Sequence, residues 1–208
     1  MGHYDSKETA ENYHRVFAEH DATRESKKKA IERHRKFISR LRPDGHILDA
    51  GCGTGRFVNY FVRDGFKVTG IDNSNSMIQI ASGNNPEVAF RIMDLRQLDF
   101  HHDSFDGIWN VATMLHFDES EVGHILDDFK RVLRSDGTLF LATRTMDKDL
   151  KVIEESTEGG KMTVYYYSPQ KILEMLTHSG FEIIEVNVEP DDHSRPFNYA
   201  YALAKPTV

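Results

Sequence analysis

The 208-residue chain has a single cysteine, Cys52, which excludes any intramolecular disulfide framework. No apolar run approaches the roughly 18–20 residues that a membrane-crossing helix needs. Residues 1–20 are polar and charged, with no apolar stretch of the kind a secretory signal carries, so a cytoplasmic protein with no membrane partner is expected. Positive charge is in short supply. There are 26 Lys and Arg against 33 Asp and Glu, a formal net charge of −7. That argues against general nucleic-acid affinity, which rests on cations neutralising phosphates. Internal repeats and low-complexity segments are also missing. What remains is an ordinary globular composition, 39% hydrophobic and 28% charged, and a length that suits one domain over residues 1–208.

Against the acidic balance stands one basic stretch: Lys27, Lys28, Lys29, Arg33, Arg35, Lys36, Arg40 and Arg42. Within it Ala30, Ile31, His34, Phe37, Ile38 and Leu41 recur at helical spacing, so an amphipathic helix is expected, part of an N-terminal helical cap over residues 1–42. Its basic side reads either as a solvated face or as a patch for an anionic substrate or RNA. Pro43-Asp44-Gly45 then breaks the chain. Beyond it, strand and helix signals alternate. Strands are expected over residues 46–50, 66–72, 88–94, 105–111 and 138–143, with helices over 56–64, 74–82 and 118–133 between them. Asp118 with Glu121 looks like a capping box, and Ser168-Pro169 looks like an N-cap followed by proline at the first helical position. Two last strands, 181–188 and 198–204, are joined by a loop too short for a helical crossover and should pair antiparallel. The expected fold is α/β: a doubly wound, mostly parallel seven-stranded sheet, Rossmann-like, with an antiparallel last strand.

The chemistry concentrates where the first expected strand runs into Gly51, Gly53 and Gly55 and a helix follows. Glycines let the backbone turn tightly and let a ligand approach without Cβ in the way. In open α/β sheets this carboxyl edge, at the switch point, is where ligands bind. The next strand ends at Asp72, 21 residues after Gly51, where a carboxylate can accept from a ribose diol. The dinucleotide fingerprint G-x-G-x-x-G/A requires a small residue where this chain has Arg56, which argues against NAD.

From residue 45 to residue 180 the chain resembles the class I S-adenosylmethionine-dependent methyltransferases, especially the small single-domain ones. Leu48-Asp49-Ala50-Gly51-Cys52-Gly53-Thr54-Gly55 is similar to the family's first motif. The segment from Asp72 to Ala81, with Ser74, Met77 and Ile78, is similar to its D-x-S-x-x-M-I-x-x-A motif. Phe105-Asp106-Gly107-Ile108-Trp109 with Met114-Leu115-His116, the turn from Arg131 to Leu139 around Asp136-Gly137, and Gly180-Phe181 resemble three more, in family order. The resemblance implies S-adenosylmethionine as cofactor and S-adenosylhomocysteine as product. It implies that backbone at Gly51, Cys52 and Gly53 meets the methionine part, with Asp49 supporting the loop and the ammonium. Asp72 would hold the ribose hydroxyls, with Asn73 beside the adenine. Met77 would pack near the adenine or simply in the core. Asp94 would accept from the adenine amino group, beside the Leu95 backbone, or would only cap a strand end. Asn110 would offer its carbonyl to the ammonium, and Tyr13 would close over the cofactor. Asp106 would be structural, and Cys52, whose position calls for backbone contact, no nucleophile.

The acceptor is less specified. His116 follows the fourth strand, where the methyl should emerge, and reads as a base or substrate contact, or as a loop histidine that only packs. The segment 145–168 reads as a substrate-side insertion. Its Tyr165 and Tyr167 share one face if extended, as pocket wall or half-buried strand, and Arg144, His193 and Arg195 suit an anionic group. Asn110-Val111-Ala112-Thr113 lacks the Asn/Asp-Pro-Pro-aromatic motif of many enzymes that methylate nucleic-acid bases, and no Cys/His spacing matches a metal site. A small-molecule acceptor is expected. Two alternatives remain open at this level: an RNA or protein methyltransferase using the basic helix, and a non-catalytic domain that binds the cofactor.

Overall fold

A computed structural model describes residues 27–155, 161–190 and 196–207. The elements in chain order are α1 (Lys27–Ile38), β1 (His46–Ala50), α2 (Val58–Arg63), β2 (Lys67–Asp72), α3 (Asn75–Asn84), β3 (Ala89–Ile92), β4 (Phe105–Val111), a 3-10 turn (Met114–His116), α4 (Glu119–Val132), β5 (Leu133–Thr145), β6 (Leu150–Glu155), β7 (Lys161–Tyr166), α5 (Pro169–His178), β8 (Phe181–Pro190) and β9 (Asn198–Pro206). Seven strands form one sheet in the order β3-β2-β1-β4-β5-β9-β8. The first five are mutually parallel, and β9 runs antiparallel to both β5 and β8. The order reverses between β1 and β4, which opens a crevice at their carboxyl ends.

Both faces of the sheet are covered. Leu48, Ile108, Leu139 and Leu141 pack with Val122, Ile125, Leu126 and Phe129 of α4 and with Ile172 and Leu176 of α5. On the other face Ile47, Trp109, Phe140 and Leu203 pack with Phe37 of α1 and with Val58 and Phe61 of α2. Trp109 and Phe140 are register partners on β4 and β5, and their rings stack 3.9 Å apart with planes 10° from parallel. Such pairs add about 0.5–1.5 kcal/mol beyond the area they bury.

Helix boundaries follow from local chemistry. Asp118 accepts from the Glu121 N–H while Glu121 accepts from the Asp118 N–H, a complete capping box at the start of α4. Ser168 accepts from the Lys171 N–H, with Pro169 opening α5. Two elements differ from the sequence reading. The helix expected over 56–64 is only Val58–Arg63, because the chain spends Gly51 to Phe57 in turns before it can coil. The fifth strand begins at Leu133, directly after α4, and takes up the extra residues as an irregularity in its pairing with β4. The 145–168 insertion is an antiparallel hairpin, β6 with β7.

The basic helix lies against β8. Arg33 Nη2 meets Glu189 Oε2 at 3.0 Å and Lys36 Nζ meets Glu185 Oε1 at 2.7 Å. Lys29 approaches Glu189 as well, at 3.5 Å, and Arg33 covers the Tyr201 ring at 4.9 Å. Arg42 pairs with Asp106, which also accepts from the His46 N–H. Although burial opposes it, those partners hold the Asp106 carboxyl below the usual range. Four of the eight clustered cations are thus paired with carboxylates of the fold, Arg33 among them buried, while Arg35, Arg40 and the paired Arg42 are exposed.

Candidate functional site

The loop after β1 sits at the switch point. The N–H groups of Gly51 and Cys52 both donate to the Ile71 carbonyl, at 2.8 and 2.9 Å, which ties the loop to the end of β2. Gly51 has φ +78, and a Cβ there would stand 2.4 Å from Thr113 Oγ1. Gly53 has φ +52, and a Cβ there would meet nothing within 4 Å. The first glycine is therefore demanded by the protein's own packing, and the second leaves bare backbone facing open space at the crevice. The Cys52 side chain is buried, and burial pushes its thiol up, so it is held as the unreactive thiol.

Asp72 closes the loop from the other side. Its Oδ2 accepts from the Gly53 N–H at 3.0 Å and its Oδ1 from the Ser74 N–H at 2.9 Å. Burial raises the carboxyl, and the N–H donors partly offset this. The Asn73 N–H also acts on this carboxylate, and of its about four acceptor positions one is left for a hydroxyl. Asn73 is exposed, and Met77 is 2% exposed in the first turn of α3, whose N-cap is Ser74. Leu95 is buried, and Asp94 beside it is bound by Arg96 through both carboxylate oxygens. Asp49 is 2% exposed and is the register partner of Trp109. Asn110, fully buried, donates Nδ2 to the Ala50 carbonyl at 2.7 Å, and its Oδ1 has no hydrogen-bond partner among the described residues. These residues lie at or just beyond the carboxyl ends of four adjacent parallel strands, along one edge of the sheet.

A second group gathers beside them, under the β6–β7 hairpin. Arg144, at the end of β5, is 5% exposed and donates from Nη1 to both oxygens of Glu154, at 3.2 and 3.1 Å. Tyr166 donates to the same carboxylate, and burial together with that neighbour pushes its phenol up to about 12. The Arg144 guanidinium covers the Phe197 ring at 4.7 Å. His116, on the 3-10 turn, feels burial and the Arg144 charge, which bring its imidazole down to about 4. Leu115, Met162, Val164 and Phe197 supply the apolar wall.

Tyr165 and Tyr167 do share a face, with rings 6.3 Å apart and nearly parallel, but it is the other face. Tyr167 is buried in the α4–α5 core and donates to the Phe117 carbonyl at 2.8 Å. The structure therefore joins Arg144 and His116 with Tyr166 and Glu154, not with Tyr165 and Tyr167. The signal was present: Met162, Val164 and Tyr166 form the apolar set at period two, which carries Tyr166 to the inner face. Arg96 was also missed. Tyr13, His193 and Arg195 lie outside the described residues. Among the described residues no three His, Cys, Asp or Glu stand together as metal ligands, and no helix is long and apolar enough to cross a membrane.

Residues 47–137 match the family model described as a methyltransferase domain. The chain is 30% identical over 171 residues to an O-methyltransferase of Pyrenophora dematioidea, covering 76% of this chain and 62% of that protein, so it spans less than two thirds of the relative's length. It is 30% identical over 179 residues to an uncharacterized protein of Methanocaldococcus jannaschii, covering 85% and 80%. Among solved structures, its fold is similar to that of 1,6-didemethyltoxoflavin-N1-methyltransferase of Burkholderia thailandensis with bound 1,6-didemethyltoxoflavin and S-adenosylhomocysteine. The TM-score is 0.71 at 21% identity, over 85% of this chain and 77% of that one.

Proposed function

The chain belongs to the class I S-adenosylmethionine-dependent methyltransferases, and we propose that it is an active one that methylates a small-molecule acceptor and releases S-adenosylhomocysteine. The observation that carries the reading is the loop at the switch point: bare backbone at Gly53, held in place by a carboxylate, Asp72, that keeps an acceptor position for a ribose. The residues present fit the cofactor. Gly51, Cys52 and Gly53 offer backbone to its methionine part. The Asn110 oxygen, partnerless among the described residues, and Asp49 suit the ammonium. Asp72 takes the ribose hydroxyls, and Asn73, Met77, Asp94 and Leu95 surround the adenine.

When bound, the cofactor supplies an electrophilic methyl on a sulfonium whose departure as a neutral thioether needs no acid. This chain's share of the work is alignment, and proximity supplies on the order of 7–11 kcal/mol at best. The 145–168 hairpin is the substrate-side insertion. Beneath it Met162 and Val164 of the hairpin pack with Leu115 and Phe197 as a buried apolar cluster that holds it against the carboxyl edge. Because its imidazole is held low, His116 is neutral near pH 7 and acts as a hydrogen-bonding contact to the acceptor more readily than as a base, whose best pKa lies near working pH. Tyr165 and Tyr167 anchor the hairpin to the α4–α5 core. Oxygen acceptors are the first to test, since the Pyrenophora relative and a second, from Aspergillus sclerotiorum, carry the name O-methyltransferase.

Calorimetry with S-adenosylmethionine, S-adenosylhomocysteine and NAD on the wild type and on Asp72→Asn tests the cofactor step. Micromolar binding of the first two and none of NAD is expected, with a loss of about 1–3 kcal/mol in the variant. Binding of NAD alone, or of none of the three by a folded protein, overturns the reading.

A further inference from the structure

The loop after β3 carries an ion cluster with more order than a surface pair needs. Arg96 Nε donates to Asp94 Oδ1 at 3.0 Å and Nη2 donates to Oδ2 at 2.6 Å, a bidentate fork. The Arg96 backbone N–H adds a third bond to Oδ1, at 2.9 Å. The remaining arm, Nη1, donates to Glu121 Oε1 at 3.0 Å. Glu121 is itself fixed, because its Oε2 accepts from the Asp118 N–H in the capping box of α4. The guanidinium also lies 5.9 Å from the centre of the Phe117 ring. One side chain thus ties the loop after β3 to the exit of the 3-10 turn and to the first turn of α4, all at the carboxyl edge.

Solvent-exposed ion pairs ordinarily stabilise a fold little, because holding two long side chains costs entropy and water screens the charges. Here much of that cost falls on parts already ordered, since Glu121 and Asp118 are committed to the helix cap. The consequence is on Asp94. A carboxylate offers about four lone-pair positions. Arg96 occupies two on Oδ1 and one on Oδ2, which leaves a single acceptor position on Oδ2 in a fixed direction.

We propose that Arg96 is a positioning residue that presents this one acceptor position of Asp94 to the exocyclic amine of the cofactor's adenine, so that the site reads a 6-amino purine. The inference rests on the cofactor reading above and adds a residue to it. Without Arg96 the carboxylate still carries charge but turns freely, and its preference for an amine donor in one direction is lost.

The test is the dissociation constant of S-adenosylhomocysteine and of its deaminated 6-oxo analogue, S-inosylhomocysteine, for the wild type, Arg96→Ala and Arg96→Lys, with circular dichroism as the folding control. The wild type is expected to prefer the amino ligand by about tenfold or more, the worth of one hydrogen bond to a charged group. In Arg96→Ala the preference should fall toward unity through weaker binding of the amino ligand alone. Arg96→Lys, which cannot fork, should sit between the two. Equal weakening of both ligands would mark Arg96 as merely structural, and an unchanged preference or tighter amino-ligand binding would also overturn the proposal. A wild type that binds both ligands equally overturns this inference and leaves the cofactor reading standing, whereas one that binds neither removes both.

Discussion

Replacing Gly51 by alanine perturbs the crevice at the point where backbone and packing demands coincide. The residue has φ +78, a region that costs an ordinary L-residue roughly 1–2 kcal/mol. A Cβ would also stand 2.4 Å from Thr113 Oγ1 and 2.8 Å from Thr113 Cγ2, closer than side-chain atoms tolerate. Overpacking of that kind costs about 1–3 kcal/mol. The sum is about 2–5 kcal/mol, enough to lower the melting temperature of a chain this size by roughly 4–20 °C. Chemical denaturation measures it, provided the slope stays at the wild-type value. The two shares are separable. Thr113→Ala deletes Oγ1 and Cγ2 and, by itself, loses only the bond from Oγ1 to the Val111 carbonyl. In the double variant most of the steric share should go, leaving the backbone share and the 3.1 Å approach to the residue 113 Cβ, a coupling of about 1–3 kcal/mol. Because the Gly51 and Cys52 N–H groups share the Ile71 carbonyl, the single variant should also weaken S-adenosylhomocysteine binding. A Gly51→Ala protein within about 0.5 kcal/mol of wild type, or strict additivity with Thr113→Ala, would refute the geometry.

Two further outcomes follow from the group under the hairpin. The His116 imidazole sits at about 4 in the folded protein and near 6.5 when unfolded, so the unfolded chain takes up this proton first as pH falls. Stability should therefore drop between about pH 6.5 and 4, by roughly 2–3 kcal/mol, and His116→Gln should flatten the denaturation profile in that window. A variant with the wild-type slope would assign the effect elsewhere. Glu154→Gln leaves Arg144 buried without its counter-charge and should cost about 2–4 kcal/mol, less than a wholly buried pair because the Glu154 side chain is 30% exposed. Arg144→Met with Glu154→Leu should recover most of that by denaturant midpoint, and a double variant no better than the single would contradict the account.

What the sequence made legible was whatever one stretch of chain decides alone. The capping box at Asp118 and Glu121, the Ser168-Pro169 helix start and the glycines after β1 each state a local requirement, and each appears where it was expected. The strand ends that carry the candidate cofactor residues were legible too, because alternating strands and helices with right-handed crossovers put those ends on one edge. What was not legible depends on partners distant in sequence. Nothing local places β9 between β5 and β8, since that order is set by which hydrophobic faces close the sheet. The turn before residue 138 looked like a loop outside the fifth strand, yet the structure carries the strand through it by an irregular pairing with β4.

The basic helix shows the limit most sharply. A run of cations is easy to see, and its two readings, solvated face or anionic patch, both assume that the charge is available. The carboxylates that meet Arg33 and Lys36 lie 156 and 149 residues further along the chain, on β8. Arg33 is 8% exposed and covers the Tyr201 ring, so the charge is turned inward, where it holds the helix against the sheet. The same logic separates the tyrosines. Residues 165 and 167 share a face, but which face a hairpin strand turns inward is decided by its whole alternation. One residue of parity moved the polar group beneath the hairpin to Tyr166 and Glu154.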